Sequence, residues 1–490
     1  MNSSFLPIGI ISVIVLLGTG IGLLAGSRRK MNLEQWTVGG RGFGLILVWL
    51  LMAGEVYTTF AFLGASGWAY SRGAPALYIL AYITLGYVVS FFILPPIWEL
   101  GRKFSLQTQS DFFETRYKSK TLAALVSLSG VAFLIPYLEI QITGLGIIAQ
   151  ISSFDRIGRT PAMILAVTLV AAFVFAGGIR AVAWVSILKD VLMIFAALAV
   201  GIGVPYMYFG GIRPMFSALA HTRPAHLVMP GATANMGHAW YISTVLLTSL
   251  GFYMWPHTFA AAFTARSAAV LRRNAIVMPL YTLSLIFIFF TGFTALLVIP
   301  GLANGDLALF TLVRKAFPNW FLGVIGGAGA LTAMVPAAIL LLTAATLFAK
   351  NVYRPFLAPA MSESQIARLA RAMVIVLSLV TLYFAIYSST TLVSLLLLGY
   401  AGVTQFFPGI VLGLYSNRVT KSAVFAGLLA GLLTLCFLTF SNHDPFLGIN
   451  AGFFALCLNL AVTFVFIRVN SWPKKAPSLS IPINPRSTPK

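Results

Sequence analysis

The chain has 490 residues, of which 59% are hydrophobic and only 9% are charged, and its formal net charge is +21. Apolar runs of about 20 residues, the length that a membrane-spanning helix needs, recur along the sequence and exclude a soluble globular protein. No basic stretch is interleaved with aromatic residues for base stacking, so we expect membrane topology, and not a nucleic-acid partner, to explain the charge.

The apolar runs predict an all-α polytopic membrane protein with about 13 transmembrane helices in a single domain over residues 1–470. Residues 471–490 have no apolar periodicity, and we expect a disordered cytoplasmic tail there. The expected spans are centred in 5–26, 44–68, 76–98, 120–151, 161–178, 184–208, 239–263, 276–300, 320–349, 367–387, 391–415, 421–440 and 446–467.

Basic residues cluster in alternate loops between these spans. By the positive-inside rule the clustered loops and the C-terminus are cytoplasmic, and the N-terminus is outside. The first span lacks a basic leading region and is followed by basic residues, so we expect a retained helix and not a cleaved signal peptide. The clusters are "SRRK" at 27–30, "GRK" and "TRYKSK" between 101 and 120, "ARSAAVLRRN" at 265–274, Lys350 with Arg354, "NRVTK" at 417–421, and the tail.

The second span contains the polar interruption "MAGEVYTTFAFLGASG". Glu55 lies about 11 residues into this span, near the membrane midplane. A carboxyl at that depth can take up and release a proton near neutral pH, so Glu55 is the first candidate for ion coupling. The alternative is a carboxylate permanently hydrogen-bonded to helix ends or tyrosines. Tyr57, Thr58 and Thr59 follow as candidate substrate ligands.

The fourth and seventh spans add further candidates. Glu139 follows a proline in the fourth span and is the second candidate for proton coupling, and Gln141 is a candidate substrate ligand. In the seventh span, Tyr253 and His257 are candidate substrate ligands, and the histidine could titrate. A lone histidine in an apolar helix is more often a packed, hydrogen-bonded residue, and we favour that alternative for His257.

The sixth span begins with Lys189 and Asp190. Sequence neighbours point about 100° apart on a helix, so we expect the two to be poor partners for each other. Lys189 shares its face with Ser186, one turn earlier. Its ammonium could be a functional cation, or the side chain could extend to the cytoplasmic interface, about 7 Å away if the span begins at residue 184.

The ninth span carries Pro336 within the run "LTAMVPAAILLLTAATLFAKNVYRPF". A proline removes one helical hydrogen bond, so we predict a break at Val335 and Pro336. Polar or broken segments persist at membrane depth only where they line a cavity or are buried in protein. Interruptions in the second and ninth spans therefore indicate an inverted-repeat transporter with its site at the midplane.

Several segments together resemble the sodium:solute symporter family over nearly all of residues 1–470. The resemblance implies the leucine-transporter fold, in which spans two to six and seven to eleven form inverted five-helix repeats. "GEVYTTFAFLGASGWAYSRGAP" and "YLEIQITG" also resemble the family's monocarboxylate-permease branch, which takes up lactate, pyruvate and similar short acids. The family segments are "EQWTVGGRGFG", "AGGIRAVAWVSILKD", "MWPHTFAAAFTARS" and "GYAGVTQFFPGIVLGLYSNRVTKSAVFAG".

The resemblance also bears on the coupling ion. Sodium-coupled family members carry a Ser/Thr pair in the ninth span, where Val335 and Pro336 stand here, and an acidic residue where Ser186 stands. Sodium needs several oxygen ligands, so these replacements imply that the family's sodium site is lost. In some sodium-independent relatives of this fold a lysine replaces the ion, and we expect Lys189 to bind carbonyls freed by the ninth-span break. The alternative is an alignment that slips by one or two residues near Thr332.

We therefore expect a secondary active transporter that imports a short monocarboxylate such as lactate, pyruvate or acetate, or alanine, together with a proton. A sodium-coupled symporter for another small metabolite is the alternative. Nucleophile elbows, zinc-protease motifs and C-x-x-C pairs are absent from the sequence, which argues against a membrane-embedded enzyme. The expected partners are the solute, the coupling ion and the lipid bilayer of a bacterial inner membrane, with no cofactor, metal or nucleic acid.

Overall fold

The computed structural model describes residues 5–26, 33–233 and 235–469. Within these ranges the chain is helical, and the only β structure is a pair of isolated bridges. The predicted all-α fold is therefore confirmed. The basic cluster at 27–30 and the tail at 471–490 lie outside the described residues.

The helices follow the predicted spans closely, because each apolar run ends at a turn residue or a cap. In the first half of the chain they are α1 (Leu6–Gly26), α2 (Leu33–Val38), α3 (Leu45–Val56), α4 (Ala65–Ser71), α5 (Tyr78–Lys103), α6 (Gln109–Tyr117), α7 (Lys120–Ser152), α8 (Arg159–Phe209) and α9 (Ile212–Thr222). In the second half they are α10 (His238–Gly251), α11 (Pro256–Thr264), α12 (Ala268–Thr282), α13 (Leu285–Val298), α14 (Ala308–Ala316), α15 (Asn319–Leu347), α16 (Arg354–Leu357), α17 (Glu363–Tyr387), α18 (Leu392–Val403), α19 (Phe407–Tyr415), α20 (Lys421–Phe440) and α21 (Ala451–Val469).

Ten helices of the described chain are long and apolar enough to cross a membrane, or eleven if the bent pair in the second span counts as one. The predicted fifth span is a shorter apolar helix over 159–175. The predicted seventh span is divided between α10 and α11, which have 14 and 9 residues. The chain is thus a multi-pass membrane protein, and the count of 13 spans stays a prediction.

The second span is broken where its sequence becomes polar. Helix α3 ends at Val56, Tyr57 has non-helical dihedral angles, and a π-helical turn over Phe60–Gly64 leads into α4. The two halves of the span are bent by 54°. The predicted interruption of the second span is confirmed, and it leaves backbone groups without helical partners inside the protein.

The prediction of a broken ninth span was wrong. Helix α15 runs through Pro336 without interruption. Proline costs one hydrogen bond but its φ angle is already helical, and α15 is packed against α1, α7 and α8, so the helix continues. The second break lies instead in the seventh span, between Gly251 and Pro256. Proline at the first turn of a new helix loses no bond, since that N–H has no helical partner anyway.

Helix α8 joins the predicted fifth and sixth spans and is kinked at Gly178, which has φ 58° and ψ −165°. Only glycine adopts this conformation readily, and a Cβ there would also collide with Trp36. The sixth span therefore starts before residue 184, and Lys189 lies about 16 Å along the helix from the kink. This depth places Lys189 inside the bundle and not at its edge.

Within the described residues, the loops with the basic clusters meet at one end of the bundle, which we call the basic end. The pairs that join them are Arg41 with Leu106, Trp98 with Ala265, Asp111 with Lys350, and Arg116 with Ser416. The opposite end carries the ion pair between Asp155 and Arg314. The structure thus agrees with the predicted alternation of basic loops between the two ends of the bundle. The assignment of the basic end to the cytoplasm stays a prediction.

The topology can be tested by cysteine labelling, in a chain whose exposed Cys436 and Cys457 are replaced by serine. In intact cells, Arg272→Cys at the basic end should be protected from a membrane-impermeant maleimide, because the positive-inside rule places it in the cytoplasm. Ala303→Cys, beyond the other end of the same span, should react. The reverse pattern would contradict the predicted orientation.

Candidate functional site

A central cavity lies beside the breaks of the second and seventh spans. Its volume is about 20 Å³, which is room for about one water molecule. A solute of several heavy atoms therefore requires side chains of the cavity wall to move. The aromatic part of the wall is Phe60, Tyr82, Tyr137, Phe252, Trp255 and Tyr400, and the polar part includes Glu55, Tyr253, His257 and Thr258.

Glu55 is the carboxyl of the central cavity. It lies in the last turn of α3, is 6% exposed, and its Oε1 has no hydrogen-bond partner. Its backbone carbonyl accepts a hydrogen bond of 2.9 Å from the Tyr137 hydroxyl, which fixes the end of α3 against α7. A buried carboxyl that lines a cavity and has an oxygen without a hydrogen-bond partner is an arrangement in which a proton or a ligand can be exchanged.

Tyr253 and His257 also reach the cavity, because the break between α10 and α11 turns both side chains towards it. His257 is buried, and its Nδ1 has no hydrogen-bond partner. Its ring lies 5.6 Å from that of Tyr137 and 5.8 Å from that of Trp255. The structure brings these two predicted ligands together with Glu55, and their binding roles stay predictions.

The other predicted substrate ligands lie at the break of the second span or contact it, and they do not line the cavity. The N–H of Thr59 donates to Gln141 Oε1 at 3.3 Å, and the N–H of Phe60 donates to the Thr58 hydroxyl at 3.2 Å. Tyr57 points the other way and donates to the carbonyl of Tyr281 at 2.9 Å. The Thr58 hydroxyl and Gln141 therefore stabilise N–H groups that the break leaves free, whereas the Thr59 hydroxyl has no hydrogen-bond partner.

Lys189 is fully buried, and its ammonium donates to the carbonyl of Gly54 at 3.0 Å. It also forms an ion pair of 3.1 Å with Asp190 Oδ1, which accepts a further hydrogen bond of 3.1 Å from Tyr281. The prediction that Lys189 and Asp190 are poor partners was therefore wrong, because the long lysine side chain can fold back towards the neighbouring carboxylate. The expected carbonyl partner was also placed wrongly, since it belongs to the second span and not to the ninth.

The three positions of the expected lost sodium site are all buried. Val335 and Pro336 lie within the continuous helix α15. Ser186 donates its hydroxyl to the carbonyl of Val182 in its own helix, at 3.0 Å. A Cβ on Gly54 would lie 3.1 Å from Ser186 Oγ and 3.6 Å from Lys189 Nζ, so α3 and α8 approach closely at this point. The Lys189 ammonium therefore lies at the broken end of α3, where α3 packs closely against α8.

Glu139 lies away from the central cavity. It interacts with Ser388 and with Arg159, and its Oε1 has no hydrogen-bond partner. Arg159 also interacts with Asp306, a residue of the loop between the eighth and ninth spans. Burial raises the pKa of Asp306 to about 6. Glu55 and Glu139, the two carboxyls predicted for proton coupling, therefore belong to separate sites.

Sequence reasoning missed most of the aromatic wall of the cavity. Tyr82, Tyr137, Trp255 and Tyr400 come from the third, fourth, seventh and eleventh spans. The Tyr400 ring lies 5.4 Å from Tyr82 and 5.2 Å from Trp255. An aromatic residue in an apolar helix is unremarkable in sequence, so only the packing of these spans identifies the group.

Comparisons with known proteins agree with this architecture. The sequence model described as "Sodium:solute symporter family" matches residues 36–431. The "Uncharacterized symporter YhjB" of Bacillus subtilis is 45% identical over 475 residues, covering 94% of this chain and 96% of its own. A "Monocarboxylate transport permease protein" of Rhizobium johnstonii is 28% identical over 482 residues, covering 94% and 96%. The solved structure of a Na⁺-coupled sialic acid symporter has a TM-score of 0.81 at 18% identity, covering 97% and 99%.

The buried ion pair can be tested by protein stability. Lys189→Met should lower the free energy of unfolding by about 3–5 kcal/mol, because it leaves the Asp190 carboxylate buried without a cation. Adding Asp190→Asn should recover much of this loss, since no charge is then stranded. Denaturant unfolding of the purified protein in detergent measures both. A double variant as unstable as the sum of the single ones would contradict the coupling of the pair.

Proposed function

The chain belongs to the sodium:solute symporter family, and we propose that it is a secondary active transporter that imports a short monocarboxylate together with a proton. The observation that carries this proposal is Glu55, a buried carboxyl that lines the central cavity beside the broken second span and whose Oε1 has no hydrogen-bond partner. The hydrogen bond from the Lys189 ammonium to the Gly54 carbonyl also supports a proton as the coupling ion, because the ammonium already supplies a positive charge to the break.

Charge balance supports Glu55 as the proton carrier. Glu55 and Asp190 are two buried carboxyls within electrostatic reach of one ammonium, that of Lys189. These three side chains together are neutral only when one of the two carboxyls holds a proton. An uncompensated charge in a low-dielectric interior is costly. Asp190 Oδ1 accepts from the ammonium and from a tyrosine hydroxyl, and only its Oδ2 has no hydrogen-bond partner, whereas Glu55 has no ion pair within 4 Å and its Oε1 has no hydrogen-bond partner. The proton therefore belongs on Glu55.

The same proton explains how an anion could be bound. A carboxylate substrate next to an ionised Glu55 would be repelled, whereas a protonated Glu55 can donate a hydrogen bond to it. The cavity wall offers further donors in the hydroxyls of Tyr253 and Tyr400. Substrate and proton would then bind together and leave together, which is the requirement for symport. The relative named as a monocarboxylate permease is consistent with this substrate class.

Lys189 is assigned the role of a tethered cation in this mechanism. Its contact with Gly54 lets a fixed ammonium bind the carbonyl end of α3, as a bound sodium ion would in a sodium-coupled relative. Movement of α3 relative to α8 must break this hydrogen bond, so the lysine links the break of the second span to the sixth span. Val335, Pro336 and Ser186 are proposed as the positions from which sodium ligands have been lost.

A second candidate is a solute that carries an ammonium group, such as a small amino acid, in symport with sodium. Its support is the composition of the cavity wall, where a carboxyl with a free oxygen is surrounded by Tyr137, Trp255 and Tyr400. Aromatic faces together with a carboxylate are a favourable environment for an organic cation. Among the described residues of the wall there is no lysine or arginine to pair with a carboxylate.

Uptake into proteoliposomes distinguishes the two candidates. Radiolabelled lactate, pyruvate, acetate, alanine and a sugar are offered with sodium gradients and pH gradients imposed separately. We expect at least one short monocarboxylate to accumulate without sodium when the outside is more acidic. A saturable sodium requirement at fixed pH, or uptake of alanine alone, would contradict the proposal and favour the second candidate.

Glu55→Gln tests the proton carrier. The amide keeps the shape of the side chain but cannot cycle a proton, so proton-driven accumulation should be lost while substrate exchange across the membrane is retained. Exchange requires only that the occupied carrier changes its orientation. The matched control is Glu139→Gln, a buried carboxyl away from the cavity, which should accumulate substrate as the unmodified chain does. Normal accumulation by Glu55→Gln would make Glu139 the leading candidate.

A further inference from the structure

Helix α6, between the third and fourth spans, is bound at the basic end to two separate parts of the bundle. Its N-terminus is closed by a capping box in which Thr108 and Asp111 exchange hydrogen bonds with each other's backbone N–H. The chain is therefore rigid where Gln109 and Asp111 project from the first turn. Each of these two side chains is buried and contacts a different span.

Asp111 is the centre of a charged network with the inner end of the ninth span. Its carboxylate accepts hydrogen bonds of 2.7 Å from Lys350 Nζ and 2.8 Å from Asn351 Nδ2. It also accepts the N–H groups of Gln107 and Thr108, at 2.7 and 3.0 Å. Burial acts to raise the pKa of Asp111, but Lys350, Asn351 and the Gln107 N–H outweigh it and hold the pKa below its ordinary value. The carboxylate consequently stays ionised at physiological pH.

The partners of Asp111 lie on a π-helical turn at the end of the ninth span. Helix α15 changes from α to π geometry over Phe348–Tyr353, which widens the turn and redirects Lys350 and Asn351. Asn351 also accepts a hydrogen bond of 2.8 Å from the Thr108 hydroxyl. Lys350 Nζ also donates to Gln107 Oε1 at 3.1 Å. Four polar contacts between the same two short segments are more than is needed for packing, because most of the interface elsewhere in the bundle is apolar.

Gln109 joins the same helix to the central cavity. It is fully buried, and its Nε2 donates a hydrogen bond of 2.7 Å to the carbonyl of Met254. Met254 lies in the break of the seventh span, between Tyr253 and Trp255, which both line the cavity. One rigid helix thus binds the broken backbone beside the cavity and the end of the ninth span.

We propose that α6 is a lock that keeps the central cavity closed towards the basic end, with Asp111 and Lys350 as the releasable pair and Gln109 as a positioning residue. The proposal rests on the transport function proposed above. A carrier must open the cavity towards each side in turn, and opening at the basic end must separate α11 from α15. With α6 bound to the Met254 carbonyl and to Lys350, that separation requires one of the two contacts to break.

The lock is tested by the accessibility of a cysteine in the cavity, which needs no substrate. Thr258→Cys lines the cavity on α11 and serves as the reporter, in a chain with Cys436→Ser and Cys457→Ser. Membrane vesicles that expose the basic end are treated with an impermeant maleimide, and the labelling rate is measured. Lys350→Met should raise this rate on the order of tenfold, since a hydrogen-bonded charge pair is lost. Gln109→Leu should raise it as well.

Two variants control for general damage to the fold. Lys350→Arg keeps the positive charge and should label at nearly the unmodified rate. Arg354→Met removes a cation from the same helix end, where Arg354 pairs with Glu363 in an exposed ion pair of 3.2 Å, and should have no effect. Because a cation at position 350 holds Asp111 ionised, the ratio of the Lys350→Arg rate to the unmodified rate should not change between neutral and mildly acidic pH.

An unmodified labelling rate in Lys350→Met, or equal increases in Lys350→Met and Arg354→Met, would overturn the lock. This outcome is distinct from failure of the proposed function. If no monocarboxylate or proton dependence is found but the labelling pattern holds, the lock stands and the substrate assignment is wrong. If transport is as proposed but the rates are unchanged, α6 is only a structural brace.

Discussion

A helix that opens inside a membrane must find hydrogen-bond partners for the backbone groups it frees, because lipid provides none. In this protein three of the partners for the second span come from other spans, so the break binds the fourth and sixth spans to the second. The seventh span obeys the same constraint, with Gln109 of α6 on its free carbonyl at Met254. The second-span contacts are Lys189 to Gly54, Tyr137 to Glu55, and Gln141 to Thr59.

The most consequential of these partners is charged. A buried ammonium needs a counter-charge, and the Lys189 side chain finds it in Asp190 beside it, so the pair is nearly neutral. Glu55 is the remaining carboxyl of the group, without a hydrogen-bond partner on its Oε1 and facing the cavity. The hydrogen bonds that satisfy the backbone at the break and the charge balance of the buried side chains both involve Glu55. The proposal that Glu55 carries the coupled proton therefore follows from the contacts that hold the break.

The helices, the interruption of the second span and the presence of the Glu55 carboxyl at that interruption could be predicted, since they depend on local composition. The location of the second break could not be predicted correctly. Pro336 in α15 and Pro256 in α11 are both prolines in apolar runs, but only Pro256 starts a helix. Whether a proline interrupts a helix depends on the support from its neighbours, and that support is a property of the packed bundle.

The sequence by itself determined that the chain is a multi-pass helical membrane protein, because apolar length and polar interruption are local properties, and its motifs indicated the family. Only the tertiary structure decided which candidates meet: Glu55, Tyr253 and His257 at one cavity with Tyr82 and Tyr400, Glu139 elsewhere, and Lys189 on the Gly54 carbonyl. Helical periodicity fixes the direction in which a side chain leaves its own helix. The partner that it reaches depends on the rotation, depth and bending of neighbouring helices, which arise from packing over the whole bundle.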